Sequence, residues 1–93
     1  MVSDELILAR IADVIEEYNR VAGKSIRCTS ISMGDHFCDD LGGYSMDLIE
    51  MILALEDAFN VTISEEDFVE ADPWKLGNLV HYIGSRAAEA QVG

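Results

Sequence analysis

The side chains of this sequence that carry nucleophilic or basic chemistry include two thiols, two imidazoles and a serine preceded by glycines. Cys28, Cys38, His36 and His81 are the residue types of a thiol enzyme, but no nucleophile elbow or triad context surrounds them. The two cysteines also lack the close pair spacing of a zinc site. One disulfide is conceivable, and the preferred interpretation is a pair of reduced thiols without a catalytic role.

The acids between residues 35 and 47 raise the question of a calcium site. An EF-hand frame that begins at Asp35 places Phe37 at the third position and Asp40 where the glycine belongs. Met46 then occupies the position of the bidentate glutamate. The frame fails, so no metal site is expected.

Ser45 follows Gly42, Gly43 and Tyr44 and stands at the start of the clearest helical pattern in the chain. One interpretation is that Ser45 is an N-cap, a role that serine often fills. The other is that its hydroxyl is an exposed attachment point, where a joined phosphate gains from the positive end of the helix. The local pattern leaves both interpretations open.

The elements that must position these residues begin with two long helices. The first is predicted to start after an N-cap at Ser3 and to stop near Gly23. The second is predicted from Met46 to Phe59. Its apolar stripe, at spacings of four, three and four, consists of Leu48, Ile52, Leu55 and Phe59.

Two further helices complete the expected architecture. A short third helix follows Ser64, which opens a capping-box pattern. A fourth is predicted to begin with Asp72 as N-cap and Pro73 at the first helical position. The long loop at residues 21–44 contains enough apolar residues to lie over the bundle. The sequence therefore predicts one all-α, four-helix-bundle domain over residues 1–93.

The net charge of −12 comes from the middle of the chain. Residues 35–72 contain twelve acids and no Lys or Arg, whereas residues 1–34 contain five acids and four bases. Such a chain repels phosphate backbones and anionic lipid and attracts basic protein surfaces. It has no apolar run of about 20 residues to span a membrane, and its acidic start is unlike a signal peptide, which favours a cytoplasmic location.

The segment around Ser45 resembles the 4′-phosphopantetheine attachment motif of acyl carrier proteins, whose usual form is D-x-L-G-x-D-S-L-D. Residues 39–47 read DDLGGYSMD, in register and without a gap. The likeness continues through residues 48–59 and the apolar pattern near the end of the chain. Two positions depart from the motif, since Tyr44 replaces the usual aspartate and Met46 the usual leucine. The L-G-G-x-S pattern is also similar to that of peptidyl carrier domains.

The resemblance implies that a phosphopantetheinyl transferase attaches 4′-phosphopantetheine to Ser45. The terminal thiol of this flexible arm would then carry acyl groups as thioesters. The chain would be a monomeric substrate of acyl-loading, condensing or acyltransferase enzymes with basic docking surfaces, and not itself an enzyme. The family's partner surface corresponds here to Met46, Asp47, Glu50, Leu53, Glu56 and Asp57.

Three functions remain open under this resemblance. The leading one is an acyl carrier of a fatty-acid, polyketide or specialised acyl-transfer pathway. The alternatives are a peptidyl or aminoacyl carrier, and an unmodified acidic interaction module, which the change at Tyr44 makes conceivable. The family can also shelter an acyl chain among its helices. The corresponding residues here are Leu48, Ile52, Leu55, Phe59, Phe68 and Ile83.

Overall fold

Four α-helices form the protein in a computed structural model, which describes the backbone of residues 3–92 and the side chains of residues 3–87. The described residues contain no strand, and one isolated antiparallel bridge joins His36 to Lys75. The predicted all-α bundle with a long loop between the first two helices is confirmed. The helices are α1 (Asp4–Ala22), α2 (Ser45–Phe59), α3 (Glu65–Ala71) and α4 (Leu76–Val92).

Local signals set the ends of α1 and the start of α3. The Ser3 side chain accepts a hydrogen bond from the Leu6 N–H at 3.1 Å, and Gly23 closes α1 in the left-handed conformation at φ 69°. At α3 the Ser64 hydroxyl accepts from the Asp67 N–H at 3.1 Å. The Asp67 carboxylate accepts in return from the Ser64 N–H at 3.5 Å, which makes the predicted capping box.

The core lies where α1 packs against α2 and α4. Each of these three helices contributes one apolar face at helical spacing, and burial of these faces is the main stabilising term. Three of the four residues in the predicted α2 stripe are buried, and Phe59 is half-buried. The fully buried side chains of the helices are Ile7, Ile11, Ile15, Leu48, Met51, Leu55, Leu76, Leu79, Val80 and Ile83.

The loop at residues 23–44 lies over the bundle, as predicted. Ile26, Phe37 and Leu41 are buried in the core. The Phe37 N–H donates to the Trp74 carbonyl at 2.7 Å, and the centroids of the Phe37 and Trp74 rings lie 6.4 Å apart. The loop is therefore fastened to the segment that joins α3 to α4.

The predicted start of α4 is wrong by three residues. Asp72 is not its N-cap, because Asp72 has φ 49° and closes α3. The helix begins at Leu76, whose N–H donates to the Asp35 carbonyl at 3.0 Å, and the next N–H donates to Met33 at 2.8 Å. Loop carbonyls, rather than a local side chain, thus satisfy the first N–H groups of α4.

Candidate functional site

Ser45 is the first residue of α2 and is exposed. The helix was predicted to begin at Met46 and begins one residue earlier. The N-cap is Tyr44, whose extended backbone (φ −109°, ψ 177°) carries no capping side-chain bond. The interpretation of Ser45 as N-cap is therefore wrong. Its hydroxyl has no hydrogen-bond partner among the described residues.

A compact turn delivers the chain to Ser45, and we call residues 36–44 the serine turn. Gly43 N–H donates to the Phe37 carbonyl at 3.0 Å, which closes the turn over the buried Phe37 ring. Gly42 has φ 86°, a conformation that glycine adopts without steric cost. A Cβ atom on Gly43 would lie 2.2 Å from a ring carbon of Phe37, so glycine lets the backbone pass close to the ring.

The His36 imidazole organises the start of the serine turn. Its Nδ1 atom accepts hydrogen bonds from the Cys38 N–H at 3.1 Å and the Asp39 N–H at 3.0 Å. The ring stacks on Trp74 with 5.7 Å between ring centroids. Because backbone N–H groups occupy Nδ1, this nitrogen is not directed at a thiol as a base would be. His36 has a structural role in the turn.

Asp47 lies in the first turn of α2 and is only 3% exposed. Its carboxylate accepts from the Tyr44 N–H at 3.0 Å and from the Tyr18 hydroxyl at 2.5 Å. The predicted outward placement of Asp47 on a partner surface is wrong. The resemblance included Asp47 in the partner surface, but its side chain turns toward Tyr18 near the end of α1.

These contacts shift the ionisation of both partners. Burial acts to raise the pKa of Asp47, but hydrogen bonds from Tyr18 and Tyr44 and the Lys24 charge outweigh it and hold that pKa below its usual value. The hydrogen bond to Asp47 is the largest cause that raises the pKa of Tyr18 to about 12, followed by burial. At neutral pH the pair is therefore a phenol that donates to a carboxylate.

The remaining predicted surface residues of α2 are accessible and lie on more than one side of the helix. Met46 is 65% and Leu53 is 52% exposed. Glu50 lines a groove between α1 and α2, whereas Leu53 and Glu56 line a groove between α2 and α3. Asp57 is also exposed. We name the set Met46, Glu50, Leu53, Glu56 and Asp57 the docking face, after the partner-binding role that the resemblance implies for it.

Exposed apolar side chains extend this surface beyond the residues chosen from the sequence. Tyr44 is 71% exposed beside Ser45. Ile49 on α2 and Val69 on α3 are also exposed and line the second groove. A helical wheel that counted apolar residues outside the main stripe would have found Ile49. Tyr18 was missed because its spacing on α1 matches a core position, although its hydroxyl reaches Asp47.

An open groove of about 520 Å³ lies between α2 and α3. It can be compared with the six residues that, by the resemblance, would surround an acyl chain. Ile52 and Phe68, two of the six corresponding residues, line it. Leu48, Leu55 and Ile83 are instead fully buried in the packed core. The groove walls come mainly from residues nearer the surface of α2 and α3.

No other chemical centre emerges from the described part of the chain. Cys28 and Cys38 are half-buried free thiols. Residues 3–87 bring together no group of three His, Cys, Asp or Glu side chains that could hold a metal. None of the helices described here is long and apolar enough to cross a membrane.

An exposed serine at the positive end of a long helix fits a phosphodiester, because the first N–H groups of the helix face that end. The family model described as "Phosphopantetheine attachment site" matches residues 6–83. The fold and the match together define a protein that carries a phosphopantetheine attachment site.

Curated relatives refine this class. Proteins named acyl carrier protein from Clostridium acetobutylicum and Exiguobacterium are similar to this chain. The first is 30% identical over 84 residues, 90% of this chain and 100% of that protein. The second is 34% identical over 76 residues, 82% and 91% of the two chains. The chain belongs to the acyl carrier protein family, whose members are carriers rather than enzymes.

Proposed function

We propose that Ser45 is the attachment residue and that the protein delivers acyl thioesters to partner enzymes. The observation that carries this proposal is the exposed Ser45 hydroxyl at the start of α2, free of hydrogen bonds to the described residues. The phosphopantetheine family match supports it by covering this segment. When bound, the arm supplies a thiol for thioester formation.

The chain's part in the modification is to present a nucleophile. Ser45 Oγ attacks the pyrophosphate phosphorus of coenzyme A that bears the pantetheine arm. A phosphodiester bond forms, the pyrophosphate P–O bond breaks, and 3′,5′-ADP leaves with the bond's electron pair. The hydroxyl proton passes to a base of the transferase. The positive end of α2 favours the phosphodiester charge that remains on the protein.

We assign partner recognition to the docking face. The docking face combines the exposed apolar side chains of Met46 and Leu53 with three acids, and no Lys or Arg occurs between residues 35 and 72. Basic surfaces on the transferase and on acyl-loading, condensing or acyltransferase enzymes complement this face. Binding of a monomeric carrier in the cytoplasm is then weak, fast and sensitive to salt.

The two glycines before Ser45 have a structural explanation that bears on the peptidyl-carrier alternative. Gly42 adopts a positive φ, and Gly43 passes directly against the Phe37 ring. The L-G-G-x-S pattern therefore follows from the geometry of the serine turn and does not favour an aminoacyl cargo. An acyl cargo from a fatty-acid, polyketide or specialised acyl-transfer pathway is the better-supported proposal.

Incubation with coenzyme A and a broad-specificity phosphopantetheinyl transferase tests the proposal. Intact mass is expected to increase by one phosphopantetheine, and fragmentation is expected to place it on the peptide that contains Ser45. Failure with several transferases would favour the unmodified interaction module, for which Tyr44 is the departure from the motif. Mass analysis of protein from its native host would identify the cargo.

Charge reversal tests the docking face. The double variant Glu50→Lys with Asp57→Lys is expected to lower kcat/KM for a partner enzyme by about tenfold at low salt, because it replaces attraction with repulsion. The difference is expected to shrink at about 1 M salt, where the Debye length is about 3 Å.

The matched control for this test is Glu16→Lys, an exposed reversal on α1 outside both grooves. It is expected to change kcat/KM by less than about twofold. A second control reverses two charges on α1, in the variant Glu5→Lys with Glu16→Lys. Equal reductions of kcat/KM in this variant and in Glu50→Lys with Asp57→Lys would contradict a localised docking face. They would indicate a response to net charge alone.

A further inference from the structure

Asp47 is the one buried charged residue among the side chains that the structure describes. It lies two residues after Ser45, and its two carboxylate oxygens have different partners. Oδ2 accepts from the Tyr44 N–H at 3.0 Å, so it holds the peptide unit immediately before Tyr44. Oδ1 accepts from the Tyr18 hydroxyl at 2.5 Å. The carboxylate therefore connects the backbone that leads into Ser45 to the distant α1.

The connection to α1 depends mainly on the tyrosine. Lys24 Nζ also lies 3.7 Å from Asp47 Oδ1, but this lysine side chain is 45% exposed and its attraction is screened by water. The Tyr18 hydroxyl makes a short, charge-assisted bond from a half-buried position. Because Tyr18 and Asp47 are 29 residues apart, their bond fixes α2 relative to α1 as well as the local turn.

We propose that Tyr18 is a positioning residue for modification of Ser45, and that it acts by holding Asp47 against the Tyr44 N–H. This inference rests on Ser45 being the attachment residue. A transferase must meet the serine hydroxyl in one orientation, and small displacements of a reacting atom lower rates steeply. Without the Tyr18 hydroxyl, the Asp47 carboxylate loses its strongest tie to α1, and the first turn of α2 is expected to loosen.

The variant Tyr18→Phe removes the hydroxyl and keeps the aromatic ring. It is expected to lower kcat for phosphopantetheine addition by about tenfold, with a smaller change in KM, because the docking face remains intact. Two controls accompany it. Tyr82→Phe removes a hydroxyl that contacts Arg86 on α4, away from the serine turn. Lys24→Gln removes the screened charge, and both controls are expected to change kcat by less than about twofold.

Amide hydrogen exchange and NMR titration give a readout that needs no transferase. In unmodified Tyr18→Phe protein, exchange of the Tyr44 amide is expected to accelerate relative to wild type and Tyr82→Phe. The low-pH change in the Tyr44 amide resonance is expected to move to higher pH, because loss of the hydroxyl raises the pKa of Asp47. Lys24 and Glu50 also act electrostatically on this pair and are unchanged in the variant.

The outcomes separate this inference from the proposed function. If wild-type protein is modified at Ser45 and Tyr18→Phe matches it in kcat and in Tyr44 exchange, the positioning role is wrong. Loss of kcat without any change at the Tyr44 amide would also overturn it. If wild-type protein is not modified by any transferase, the proposed function fails, while the exchange experiment still tests the coupling between Tyr18 and the serine turn.

Discussion

Replacing Ser45 with alanine is expected to abolish phosphopantetheine addition and leave the fold unchanged. The reaction needs an oxygen nucleophile, and alanine has none. Ser45 is the first helical residue rather than the N-cap and is exposed, so the change in the free energy of unfolding is expected to be below about 0.5 kcal/mol. Intact mass after incubation with coenzyme A and transferase measures the modification, and thermal unfolding measures the fold.

Ser64 provides a matched control for this substitution, because it is an exposed serine at the start of another helix. Ser64→Ala removes the N-cap of α3 and is expected to destabilise the protein by about 1 kcal/mol. Modification should nevertheless remain complete. A mass increase that persists in Ser45→Ala protein, or disappears in folded Ser64→Ala protein, would show that the attachment residue is misassigned.

Features fixed by residues close in sequence were predictable. The Ser3 cap, the Gly23 stop and the capping box at Ser64 each involve partners within about four residues. The amphipathic stripe of α2 was equally readable, because helical spacing alone determines which side chains share a face. Ser45 could be selected from the ordered motif around it.

Features fixed by distant partners were not predictable. The start of α4 depends on the carbonyls of Met33 and Asp35, about 40 residues earlier in the chain. Asp72 and Pro73 carry a helix-start signal that this tertiary contact overrides. Asp47 was assigned to the partner surface for a similar reason, because the local motif cannot reveal that the hydroxyl of Tyr18, 29 residues away, donates a hydrogen bond to its buried carboxylate.

Truncation of Phe37 to alanine is expected to cause the largest loss of stability among the changes considered. The ring is fully buried in the core and contacts Trp74 and Gly43. Its removal leaves a cavity beneath the serine turn, and such changes destabilise proteins by about 3–5 kcal/mol. For a domain of this size, thermal unfolding should move to lower temperature by more than about 10 °C.

Phe68→Ala makes the same chemical change at a half-buried site on α3 and serves as the control. Its cost is expected to be smaller by at least about 1 kcal/mol, because the ring is already partly in water. Phe37→Ala should also slow phosphopantetheine addition under conditions where the variant is folded, because the Gly43 backbone passes directly against the Phe37 ring and loses that support. Equal stability losses in the two variants would contradict Phe37 as the anchor of the loop. An unchanged modification rate in folded Phe37→Ala protein would show that the serine turn keeps its geometry without the ring.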